Sequence, residues 1–74
     1  MHFQELIKTI KQRRAVLQVT QENLAKLSRV GLRTLKQFES GKGNPRMTTI
    51  QKLADVLGLE ICLKVKEQIT NETS

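Results

Sequence analysis

Apolar residues recur along most of this chain at the three- and four-residue spacing that lays one buried stripe along a helix. Phe3, Leu6, Ile7, Ile10 and Leu17 mark a first helix from about Phe3 to Leu17. Leu24, Ala25 and Leu27 mark a short second one over Gln21 to Ser28, opened by Thr20, whose hydroxyl suits an N-cap. After a break at Arg29, Val30 and Gly31, a third helix runs from Leu32 to Ser40 on Leu35 and Phe38. It stops at Gly41, which accepts the left-handed conformation that helix ends favour. The loop GKGNP leads to a fourth helix that begins between Arg46 and Thr49. That helix buries Met47, Ile50, Leu53, Ala54 and Leu57 and ends at Gly58.

Beyond Gly58 the pattern changes to strict alternation. Leu59, Ile61, Leu63 and Val65 fall on one side, and Glu60, Cys62, Lys64 and Lys66 on the other, as in a half-buried strand. Nothing upstream supplies a second strand, and a lone strand leaves its backbone N–H and C=O groups without a ladder. The simplest partner is the same strand of another copy, paired antiparallel about a twofold axis with the apolar faces laid over the helices. The polar residues 67–74 read as a flexible tail. The expected architecture is therefore mainly α. Residues 1–58 form a compact four-helix domain, and residues 59–66 form one C-terminal β-strand that pairs across a homodimer.

Composition sharpens this picture. With 74 residues the chain is one small domain, close to the size at which a single core needs help from a metal, a disulfide or a second copy. Cys62 is the single cysteine and His2 the single histidine, so neither an internal disulfide nor a zinc quartet is available, and the second copy remains. The amphipathic start and the lack of a long apolar run suggest neither a signal peptide nor a membrane span, and a cytoplasmic location is expected. His2 and Cys62 lie at opposite ends, Ser28 and Ser40 have no histidine nearby, and GKGN lacks the flanking residues of a phosphate loop. No catalysis, cofactor or metal is expected.

Net charge is +6 and the sequence pI is about 10.0, which favours a polyanionic partner. Between residues 26 and 46 stand Lys26, Arg29, Arg33, Lys36, Lys42 and Arg46 against the single acid Glu39, so five of the six net charges fall there. Phe3 and Phe38 are the only aromatic residues. Single strands are held by stacking bases on aromatic rings, so their scarcity favours double-stranded DNA.

Two charges interrupt the apolar stripes. Arg14 follows Ile10 by four positions, and Glu39 follows Leu35 by four, so each points inward from its helix. A buried charge left alone costs about 3 to 5 kcal/mol, so two intruders of opposite sign are expected to meet as a structural ion pair.

The segment TQENLAKLSRVGLRTLKQFESGKGNPRMTTIQKLADVLG resembles, without a gap, the helix-turn-helix of the lambda repressor-like, XRE family. Thr20, Gln21, Leu24, Ala25, Glu39, Gly41, Asn44, Pro45, Leu53, Ala54 and Leu57 fall where that family places them, and residues matching Arg14 and Glu39 form an ion pair in it. The resemblance implies a DNA-binding domain whose third helix enters the major groove while the N-terminus of the second faces phosphate.

Carried over position by position, the resemblance makes Gln21, Lys42 and Asn44 phosphate contacts. It makes Leu32, Arg33, Lys36 and Gln37 the base-reading face. Arg33 is the leading reader, because a guanidinium bonds guanine O6 and N7 together and discriminates by about 1 to 3 kcal/mol. Leu32 departs from the polar residues usual there and suits a thymine methyl or packing against sugar. At the position of Arg29 the family prefers glycine, which this chain has two residues later at Gly31. A left-handed arginine would cost about 1 kcal/mol, which favours a longer second helix.

Four helices followed by a dimer-forming strand also resemble the HipB-type antitoxins, which repress their own operon and bind a HipA-like kinase toxin. This implies a sequence-specific repressor acting as a homodimer on a palindromic operator. Its alternatives are a stand-alone or phage-type XRE regulator without a toxin, and a protein-interaction adaptor on the same scaffold.

Overall fold

A computed structural model describes residues 3–62 as four helices, α1 (Phe3–Val16), α2 (Gln21–Ser28), α3 (Leu32–Glu39) and α4 (Met47–Val56). Each boundary has a local cause. Helix α1 closes with Gln18 in the left-handed conformation (φ 58°). There the Val19 N–H donates to the Arg14 carbonyl at 2.9 Å, which turns the chain back toward α2. Thr20 caps α2, its hydroxyl accepting from the Asn23 N–H at 3.0 Å.

The turn between α2 and α3 differs from the expected longer second helix. Helix α2 stops at Ser28, and Arg29 itself is left-handed (φ 62°, ψ 28°). The Val30 N–H then returns to the Ala25 carbonyl at 3.1 Å. Burial of Val30, at 8 % exposure, and closure of the last α2 carbonyls outweigh the strain of an arginine there. Gly41 (φ 82°) ends α3 as its sequence position implied, and Gly58 (φ 71°) ends α4 with the Leu59 N–H donating to Ala54 at 2.9 Å.

The core lies where the four helices meet. Leu24, Leu35, Ile50, Leu53 and Leu57 are the largest side chains fully enclosed, joined by Ile10, Ala25, Val30 and Phe38. Burying each leucine or isoleucine contributes about 1.5 to 3 kcal/mol. Three residues assigned inward positions from the sequence are on the surface: Leu17 is 43 % exposed, Leu27 64 % and Met47 50 %. Leu17 lies beyond the end of α1, so the helical spacing no longer applies to it. In α2 the inward positions are Leu24, Ala25 and Ser28, and Leu27 falls to the side. Ser28 tolerates burial because its hydroxyl donates to the Leu24 carbonyl at 2.6 Å. Met47 is the first residue of α4, directly after the loop that leads into it.

Residues 59–62 carry no strand pairing, and no strand occurs among the described residues. A single chain offers this segment no ladder. Its side chains still divide as the alternation implied: Leu59 and Ile61 pack against the core, while Glu60 and Cys62 are exposed. The remainder of the expected strand, with Leu63 and Val65, and the tail 67–74 lie outside the described residues.

Candidate nucleic-acid interface

Helix α3 presents two faces. Leu35, Phe38 and Glu39 are turned into the core, and Arg33, Lys36 and Gln37 are exposed on the opposite side. Leu32 is intermediate, one flank touching the core cluster. Leu32, Arg33, Lys36 and Gln37 line a shallow hollow whose far wall is Ser40 and Lys42. The four α3 positions and Lys42 thus share one concave surface with three cations and no acid on it. Asn44 is exposed on the loop beside it, where Gln37, Lys42 and Asn44 line a smaller recess with Phe38 and Pro45.

The hollow is held in place from beneath by charge. Arg14 on α1 binds Glu39 through two parallel bonds, Nε to Oε2 at 2.9 Å and Nη2 to Oε1 at 2.9 Å. Its remaining Nη1 donates to the Val19 carbonyl at 3.1 Å. The fork geometry suits a guanidinium and a carboxylate and is the stronger form of such a pair. Glu39 is nearly enclosed, its side chain 4 % exposed against 21 % for Arg14.

Gln21 joins this pair. Its Nε2 donates to Glu39 Oε1 at 2.9 Å, so the first residue of α2 is tied to the last residue of α3. The amide has a second N–H, and Gln21 is half-buried at the helix N-terminus, a place that favours an anion. Helical spacing pairs Arg14 with Glu39 but gives no sign of Gln21, whose side chain serves equally for a phosphate contact or an internal bond.

A second bond was not foreseen at all. Arg13 Nε donates to the Leu57 carbonyl at 2.9 Å, across 44 residues, and so satisfies a carbonyl at the C-terminal end of α4. Nothing in the local sequence signals it. Among the described residues, no buried side-chain nitrogen or oxygen lacks a hydrogen-bond partner.

A helix-turn-helix family model matches residues 10–63, which takes in the second half of α1, all of α2, α3 and α4, and the segment after Gly58. The chain belongs to the lambda repressor-like, XRE-type helix-turn-helix family. It is accordingly a DNA-binding transcription regulator whose partner is double-stranded DNA. In this XRE domain α2 and α3 are the two helices of the motif, with Arg29, Val30 and Gly31 as the turn between them. No curated protein matches the chain. Among the described residues, no helix is long and apolar enough to cross a membrane.

Proposed function

We propose that this XRE domain is a sequence-specific repressor that inserts α3 into the major groove and acts as a homodimer on a palindromic operator. The observation that carries the reading is the shared hollow: Arg33, Lys36 and Gln37 project from one face of α3 beside Lys42, with no acid among them. Arg33, Lys36, Gln37 and the exposed part of Leu32 are the base readers. Gln21, Lys42 and Asn44 hold phosphates on either side. Pairing of residues 59–66 about a twofold axis would set two recognition helices about 34 Å apart, one turn of duplex. The inward set of Leu59 and Ile61 supports a C-terminal segment with one apolar face.

Salt titration tests the DNA reading. A dimer with about eight phosphate contacts loses affinity with a log–log slope near −7, whereas a slope near zero refutes it. Lys42→Ala weakens all duplexes alike, and Arg33→Ala flattens the preference at one base position in each half-site. Equal effects from the two changes would mean that the reading face is elsewhere.

The finer biological assignment is an autoregulating antitoxin of the HipB type, supported by the alternation of residues 59 to 66 after a four-helix domain. A HipA-like kinase encoded beside it and co-purifying with it is the expected result. A protein that represses its own promoter with no such neighbour is a stand-alone regulator.

A further inference from the structure

The hollow on α3 does not end at Ser40. The same serine lines a second groove, between the outer face of α1 and the C-terminal end of α3, with Gly41 beside it. The α1 wall of this groove carries the polar residues Gln4, Lys8, Lys11 and Gln12 around the half-buried Ile7. These positions repeat at helical spacing, so all four share one face, and all four are exposed. We propose that this groove seats a stretch of duplex backbone continuous with the one at Lys42, with Lys8 and Lys11 as further phosphate contacts and the amides of Gln4 and Gln12 as donors to the same strand.

Charge complementarity supports this occupant. Glu39 is the one acid lining the groove, and its carboxylate is enclosed and already bonded by Arg14 and Gln21, so it offers little repulsion to a phosphate. The remaining lining charges are both positive. The groove also meets the recognition surface at Ser40, and Gly41 and Lys42 follow directly in the chain. A duplex backbone crossing the C-terminal end of α3 would pass from one to the other without leaving the protein surface. The opposing local effect is the partial negative charge of the α3 C-terminus, which attracts the same lysines. The test must separate the two roles.

This inference rests on the DNA-binding reading, and the experiment distinguishes their failures. The full chain carrying Lys8→Gln and Lys11→Gln together is titrated with labelled duplex DNA of mixed sequence across a salt series. Lys52→Gln serves as a control, since Lys52 is exposed on α4 and lines neither surface. The expected result is a salt slope shallower by about 1.8 per bound subunit, which makes the affinity deficit vary about tenfold between 50 and 200 mM salt. Lys52→Gln should leave the slope unchanged, and Lys8→Arg with Lys11→Arg should restore it. If the double variant keeps the parent slope on duplex that the protein still binds, the inference is overturned and the recognition surface stands. A lowered thermal midpoint with the parent slope also overturns it, and assigns the lysines to the end of α3. If the unmodified chain binds no duplex, both readings fail.

Discussion

Removing either member of the Arg14–Glu39 pair should destabilise the domain, and the two removals should be unequal. Glu39→Met leaves a guanidinium that is 21 % exposed, still bonded to the Val19 carbonyl and near enough to solvent to turn outward. Arg14→Met leaves a carboxylate that is 4 % exposed, with Gln21 as its single donor among the described residues. Breaking a buried pair from one side costs about 3 to 5 kcal/mol, so we expect about 3 for Glu39→Met and about 4 for Arg14→Met. A domain of this size holds about 4 to 11 kcal/mol in all, and each kcal/mol moves its midpoint by about 4 to 8 °C. Either variant should therefore melt at least about 12 °C lower. The double variant replaces the pair with apolar side chains, and should cost less than the sum of the singles by about 2 to 3 kcal/mol. Urea unfolding at one fixed protein concentration measures all four corners of the cycle. Strict additivity would show that the pair contributes no coupling, and a milder Arg14→Met than Glu39→Met would show that depth of burial does not set the cost.

Arg29→Gly should stabilise the fold by up to about 0.5 kcal/mol, because glycine relieves the left-handed strain but adds freedom to the unfolded chain. Arg29→Val should destabilise it, and thermal melts of both variants check the sign. Proline at Ile61 or Leu63 removes a backbone N–H that the proposed intermolecular ladder requires, so sedimentation should show a monomer with no preference for palindromes. Under the same proposal the midpoint of the unmodified protein rises with concentration, and removing residues 67–74 leaves that dependence intact.

What the sequence disclosed and what it hid divide along physical lines. Periodicity located the four helices, since the apolar residues of each must fall on one stripe to reach the common core, as Ile10, Leu24, Leu35, Ile50 and Leu53 do from their separate helices. It misassigned Leu17, Leu27 and Met47, because spacing identifies a face only while the helix continues and only where a neighbour covers it. The inward tilt of Arg14 and Glu39 was legible for the same reason that the leucines were, and the sign of each charge named its partner. The Gln21 bond to Glu39 and the Arg13 bond to Leu57 were not legible, since both depend on where separate helices come to rest. The left-handed Arg29 went against the local expectation. Local preference of about 1 kcal/mol yields when a tertiary contact such as the burial of Val30 is worth more.

The bond from Arg13 to Leu57 stands at the threshold where the chain leaves the helical bundle. Its guanidinium also lies 3.6 Å from where a side chain at Gly58 would begin, so the departing backbone is flanked by a residue of α1. In a twofold assembly built on the following residues, any rotation at this threshold would be doubled across the axis and carried through the width of each domain to the DNA. A few degrees there would alter the distance between two recognition helices by ångströms. The length of operator that such a protein tolerates would then be governed by a joint between its first and last helices, far from any base it reads.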